Sequence, residues 1–487
     1  MANRDEAVTR HLLRRAGFGA SPQELDLFAD MRLSDALDYL LNFEDIPDDV
    51  DDWIGQPGYV GVTFRGEFLP NTVVTDARQR WLFRMVHSQR PLQEKMTLFW
   101  HNHLATAYSK LAGAYGSSDA TRMMAAKASE DPKRQQGQLE TIRQLCLGSF
   151  RDLVVAMAKD PGMLVWLDGR FNTKERPQEN FGRELMELFS MGVRYYTESD
   201  VYAAARVFTG WNLRRTTASR DDLFPLYEFV YNSGSHDTNA KTFSFPIYPD
   251  GNRTIPARAA TAGMQDGIDL IAAVTSHPET ARRLARRLYG FFVSEFNEPS
   301  AEFLGQLADT YLDHGQDLRI LMGHLLRSFE FKDEANYYAR YAWPVETVVR
   351  AIKEVGWVGY SVSDAVNQLV NMGQQLYEPP DVAGWELGPG WISSGSMLSR
   401  MNFASALATN QRTALTAAAM PYARTPDTLL AYFLEKLAPG PLSDVTRSSL
   451  RTYLTSSGAW TGSETQVRTK SAGLVHLILG AGEYVFM

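Results

Sequence analysis

The stretch Phe99–Thr106, FWHNHLAT, sets two histidines one residue apart in a chain of 487 residues that holds nine histidines. Imidazole ligates divalent metals or moves protons near neutral pH, so His101 and His103 are the first candidates for chemistry. Along an α-helix, residues two apart point roughly 200° from one another. Both rings share a side only if the chain bends at Asn102 or leaves the helix there. Further along, ENFGRELMEL places Glu184 and Glu187 three residues apart, on one helix face, beside Arg183. Imidazole nitrogens and carboxylate oxygens together suit a divalent cation. The expected metal ligands are therefore His101, His103, Glu184 and Glu187. A bound divalent ion lowers the pKa of its water or polarises a substrate. In SGSHDTNAK, His236 or Asp237 would then act as base or further ligand, and Arg183 would orient a substrate anion.

Each of these residues also has a plainer reading. The two histidines can be buried and hydrogen-bonded to backbone groups, with Glu94 seven residues before His101 on the same face. Arg183 can pair with Glu187 or Glu179 along its own helix. His236 and Asp237 lie among Gly and Asn, where short polar side chains bond their own backbone. The run DDVDD offers another chemistry. Asp49, Asp51 and Asp52 spell D-x-D-D, the proton-donating motif of one class of isoprenoid cyclase, and Asp48, Asp49 and Asp52 spell the D-D-x-x-D metal motif of another. A helical chain with 11% aromatic residues suits a cyclase, whereas a solvated acidic loop accounts for the same letters. Arg14 and Arg15 precede two glycines in HLLRRAGFG and could hold a phosphate or carboxylate, or simply close a helix. Trp385 and Trp391, in the Pro- and Gly-rich PPDVAGWELGPGW, either wall a pocket or plug the core.

Several chemistries are excluded. There is no G-x-S-x-G elbow for a serine hydrolase, no G-x-G-x-x-G dinucleotide fingerprint and no Cys-x-x-Cys-His haem attachment. Cys146 is the single cysteine, which rules out an internal disulfide and any Cys-rich zinc or iron–sulfur site. The net charge of -8 argues against nucleic-acid binding. No apolar run of membrane-spanning length occurs, and the charged N-terminus lacks the apolar centre of a signal peptide. The expected location is cytoplasmic as the sequence stands, or exported if a leader was removed.

The elements that must position these residues are mostly helical. SPQELDLF opens with Ser21, Pro22 and Glu24, a cap, a first-turn proline and a capping-box glutamate. Pro91 starts the helix that carries the histidines. Thr197 and Asp200 open another, which stops at Gly210. ENFGRELMELFSMG reads as one helix with Leu185, Leu188 and Phe189 on one face, ending at Gly192. Further helices are expected at 264–275, 279–294, 300–313, 317–329, 342–355, 363–374, 397–410, 426–436, 443–455 and 466–480. Residues 223–258, rich in Tyr, Phe, Pro, Gly and Asn, read as a small β-hairpin insertion. Segments 45–72 and 377–396 read as irregular loops. The expected fold class is mostly α, a single helical domain over 1–487 with the β-rich insertion at 223–258 and a C-terminal helical segment at 397–487.

The blocks HLLRRAGFGAS, RPLQEKMTLFWHNHLAT, LDGRFNTKERPQENFGRELMELFSMGVRYYTESDVYAAARVFTGW, HDTNAKTF and PPDVAGWELGPGWISS occur in that order. Together they resemble the bacterial family called domain of unknown function 1800, from about residue 8 to near the C-terminus. The resemblance implies a mostly helical unit whose members are often encoded beside exported proteins similar to sulfatases and alkaline phosphatases. It implies no reaction. The chain departs from the family pattern at Gln178, where Asn is expected, at Gly182, where Ala is usual, and at Asp381, where Asn is usual. The leading expectation is an enzyme that uses the His/Glu/Asp site for metal-assisted hydrolysis or oxidation of a small molecule. The alternatives are a non-enzymatic assembly or maturation partner of a sulfatase- or phosphatase-like protein, and an isoprenoid cyclase using Asp49–Asp52.

Overall fold

The computed structural model describes residues 2–217, 222–437, 440–456 and 458–487, with side chains from residue 6 onward. Among these residues the chain forms 24 α-helices and two small two-stranded sheets. Local signals place many helix starts. Ser21 Oγ accepts from the Glu24 N–H at 3.2 Å while the Glu24 carboxylate accepts from the Ser21 N–H at 2.7 Å, opening the helix Pro22–Phe28. Thr197 and Asp200 form the same box at Glu198–Val207. Pro91 begins the helix Pro91–His103. All ten helices expected beyond residue 264 form, with ends shifted by up to three residues.

Three helices lie at the centre. Val74–His87 packs against both Pro91–His103 and Pro344–Val355. Every residue of Pro91–His103 is buried, including Gln93, Glu94, Lys95 and Thr97. An amphipathic helix would leave such residues in water. Here they are paired inside. Glu94 accepts from Arg84 Nε at 2.7 Å and Arg143 Nε at 2.9 Å, and Lys95 reaches Glu346. Buried charges persist in native structures when they are matched in this way. The helix Pro278–Phe292 joins the centre through Phe291 and Phe292, whose rings lie 5.4 and 6.1 Å from Phe99. Buried hydrophobic side chains from Leu12 to Tyr484 form one continuous cluster. In the C-terminal segment, Glu464–Leu479 packs on Ser394–Asn410, Arg412–Ala419 and Pro426–Leu437. No helix among the described residues is long and apolar enough to cross a membrane.

The β structure is a small hairpin, but it begins before the expected insertion. Strand β1, Trp211–Thr216, pairs antiparallel with β2, Leu226–Tyr231, in the register Trp211↔Tyr231 to Thr216↔Leu226. A six-residue strand directly after a helix stop shows too few alternations to be read alone. A second pair, β3 Lys241–Thr242 and β4 Thr254–Ile255, closes the segment.

The larger surprise is at Leu185–Phe189. The helix Asn180–Glu184 continues as a π-helix, not as the regular helix expected through Gly192. Its carbonyls are taken by later or distant groups. Leu185 O accepts from Ser190 Oγ at 2.5 Å, Met186 O from the Gly192 N–H at 2.9 Å, and Phe189 O lies 3.0 Å from His103 Nε2. The widened turn follows from those bonds, and π-turns often mark functional sites.

Candidate functional site

The two histidines face different neighbours. His101 sits among the rings of Trp81, Tyr377 and Trp385, at centroid distances of 5.3, 5.9 and 5.7 Å. His103 packs against Trp100 and Phe150, and its Nε2 must donate to Phe189 O, because a carbonyl only accepts. That tautomer leaves Nδ1 as a bare acceptor, and Nδ1 has no partner. Burial lowers the pKa of His101 to about 4. Burial, then the charges of Arg287 and Arg283, push His103 well below its ordinary value. Both rings are therefore neutral at pH 7.

The expected four-residue metal centre is not assembled. Glu187 accepts from Tyr196 O–H, and burial together with Glu187 raises the Glu184 carboxyl above the ordinary range. Among the described residues, no group of three or more His, Cys, Asp or Glu side chains could hold a metal ion. The reason is geometric: His101 turns into an aromatic box and His103 is committed to the π-helix backbone. Arg183 is likewise committed, pairing with Glu198 at 2.7 Å and Glu179 at 3.3 Å on the surface. His236 and Asp237 do not lie over the histidines. His236 is buried, with Nδ1 2.8 Å from Thr209 O and Nε2 3.3 Å from Asp266, while Asp237 is clamped by Arg206 at 2.7 Å. Arg206 and local backbone bonds, working against burial, hold Asp237 at about 2. His236 ties the β segment to the helix Met264–Thr275, and Asp237 ties it to the helix Glu198–Val207.

The acidic run does not line an aromatic cavity. Asp48 and Asp51 bind Arg84, and Asp51 also binds Lys127. Against the effect of burial, these cations hold Asp51 at about 2, so it stays an anion and cannot protonate an isoprenoid. Arg15 is also structural, donating to the carbonyls of Phe292 at 3.0 Å and Phe291 at 3.1 Å. Trp385 is buried beside His101 and Trp343, which makes it a plug.

A family model described as Protein of unknown function (DUF1800) matches residues 11–486. The chain belongs to this family. Neither a curated protein nor a solved structure matches it. In this DUF1800 chain, blocks far apart in sequence meet in space. Asn102 of FWHNH holds Trp385 of PPDVAGW by its N–H at 2.5 Å and its C=O at 3.0 Å. Two of the three departures from the family pattern have a local account. Gly182 lies so close to the helix Glu198–Val207 that a Cβ would fall 2.7 Å from the Ala204 Cβ. Asp381 accepts from the Ala383 N–H, as an asparagine would.

The π-helix does border a pocket, of about 400 Å³, lined by Glu187, Leu188, Met191, Gly192, Val193, Tyr195, Glu279, Arg282, Arg283 and Arg286. Its arginines come from ARRLARRLYG in the helix Pro278–Phe292. Glu279, four residues before Arg283, binds Arg282 instead. Arg283 Nη1 is buried without a hydrogen-bond partner, and among the described residues neither Arg283 nor Arg287 makes an ion pair. Burial, then Arg283, lowers Arg287 to about 10, so it remains a cation at neutral pH. Gly192, at φ +86°, leaves room for Arg283, since a Cβ there would meet its Nε at 3.2 Å. Sequence reasoning missed this site. Paired arginines at four-residue spacing look like an ordinary solvated helix face, and only the third dimension shows which of them form no ion pair.

The neutral histidines have a measurable consequence. Below pH ~6.5 the unfolded chain protonates each histidine, whereas the folded chain leaves His101 neutral until about pH 4. Stability therefore falls as pH drops through that window, by about 1.4 kcal/mol per pH unit for each such histidine. His101→Phe should flatten the dependence of urea unfolding on pH between 6.5 and 4 by one proton. An unchanged slope would show that His101 is protonated in the native state.

Proposed function

We propose that this DUF1800 chain is an enzyme that acts on a small anionic molecule held in the arginine pocket. The observation that carries the reading is Arg283, a guanidinium with a buried, unpartnered nitrogen at the wall of a pocket of about 400 Å³. Arg283 is half-buried and feels Glu187 as a favourable charge without a hydrogen bond to it. Its buried Nη1 lacks an acceptor, which an arriving phosphate, sulfate or carboxylate supplies with a charge-assisted bond. Arg286 also lines the pocket, and Arg287 behind it adds positive charge one turn further along the helix. Glu187 lines the same pocket with Tyr196 O–H bound to it, which supplies a carboxylate–phenol pair able to take up and return a proton beside the bound anion.

The test is a pair of opposed responses. Arg283→Gln removes the repulsion with Arg287 together with the attraction to Glu187, so the thermal midpoint should stay close to that of the native chain. The same change should weaken binding of inorganic phosphate, measured by calorimetry, by about 10–100-fold, the value of a charged hydrogen bond. Glu187→Gln should bind phosphate while losing turnover of a phosphate ester. No binding by the native chain at millimolar phosphate, or equal binding by Arg283→Gln, would sink the proposal.

A further inference from the structure

The pocket has two unlike walls. One is the guanidinium wall already described. The other presents apolar surface from Leu188 of the π-helix and from Val193 and the Tyr195 ring in the turn after it, with the Tyr195 hydroxyl held by Glu279. Leu188 is half-buried, Val193 is 57% exposed and Tyr195 is 43% exposed. Gly192 and Arg194 both have left-handed backbones, at φ +86° and +85°. That conformation is uncommon for a residue such as Arg194 and fixes the turn that presents Val193 beside the charges. Val193 and Tyr195 thus form an apolar lip on the same pocket as Arg283.

Resting on the anion reading, we propose that the ligand is amphiphilic: an anionic head group for Arg283, joined to an apolar, soluble body that covers Leu188, Val193 and Tyr195. An inorganic ion would satisfy the guanidinium and leave the lip in water. A fully apolar ligand would cover the lip and leave Arg283 unpaired. Only a molecule carrying both parts answers both walls. Aryl and short alkyl monoesters of phosphate have this form.

The experiment compares phenyl phosphate with inorganic phosphate by calorimetry on the full chain. Phenyl phosphate should bind about tenfold tighter, the effect of burying part of two apolar side chains. In Val193→Ser, a surface change whose fold is checked by circular dichroism, the ratio of the two affinities should fall toward one. Arg283→Gln should weaken both ligands together. Vesicles of phosphatidic acid in phosphatidylcholine should not sediment the chain. Equal affinity for the two phosphates in the native chain, or a ratio unmoved by Val193→Ser, overturns this inference and leaves anion binding standing. Failure of both ligands to bind overturns the anion reading and this one with it. Sedimentation with the vesicles that phenyl phosphate reverses would assign the head group to a lipid and overturn the soluble ligand.

Discussion

Glu346→Gln should lose about 3–5 kcal/mol of stability, the typical effect of removing one partner from a buried ion pair. Glu346 is fully buried. Its carboxylate accepts from Lys95 Nζ, from both terminal nitrogens of Arg340 and from the Trp343 N–H at 2.9 Å. Glutamine keeps the volume and one acceptor oxygen but removes the charge, so Lys95 and Arg340 face each other in a dry interior. Arg340 keeps only Glu295, at 3.4 Å, as a carboxylate neighbour. The same group makes the fold acid-sensitive. Burial alone would raise the Glu346 carboxyl, but Arg340 and Lys95 hold it below the ordinary range. A carboxyl with a lowered folded pKa stabilises fully above its unfolded value of about 4.3 and loses that contribution as pH falls through the folded value. Urea unfolding followed by far-ultraviolet circular dichroism at pH 7 is the measurement. A loss under about 1 kcal/mol would mean that the cations find water or another acceptor.

The second large effect belongs to Asn102, the residue between the histidines. Its carboxamide accepts from the Trp385 N–H and donates to the Trp385 C=O, pinning the loop to the central helix like one rung of a sheet. Gly384 makes the approach possible: it has φ +81°, and a Cβ there would lie 2.4 Å from both oxygens of Asn102. Asn102→Ala leaves two buried peptide groups unpaired, at about 1–3 kcal/mol each. Asn102→Asp should fare no better, because its second oxygen faces the Trp385 carbonyl. Both variants should unfold at lower urea and shift indole emission to the red as Trp385 leaves the His101 box. Emission and midpoint both matching the native chain would show that the loop is held by its aromatic packing alone.

These two residues show where sequence reading stops. The caps at Ser21 and Thr197 and the start at Pro91 were legible because each depends on hydrogen bonds and dihedral preferences within a few residues, while the stop expected at Gly210 comes three residues earlier, at Val207, with Gly210 taking the left-handed turn. The mostly helical class followed from periodicity, and the family from ordered blocks of residues, which the match over 11–486 bears out. The β segment was legible in place but not in its first strand, since β1 is defined by its partner across the hairpin.

Site geometry was not legible in the same way. FWHNH suggested two ligands, and the structure makes His103 a prop for a π-turn and Asn102 a clamp on a loop 283 residues away. ENFGRELMEL suggested a continuous helix, but its carbonyls are claimed by Ser190, Gly192 and His103, and so it widens. Nothing local to Lys95 points to Glu346, 251 residues on, which the fold places against it. The sequence by itself determined the helices, their caps and the family, because periodicity, capping and backbone preference act over one or two turns. Only the tertiary structure decided which charges are matched and which, like Arg283, are left facing a pocket, because a charge's partner is set by proximity in space and by the loss of water around it.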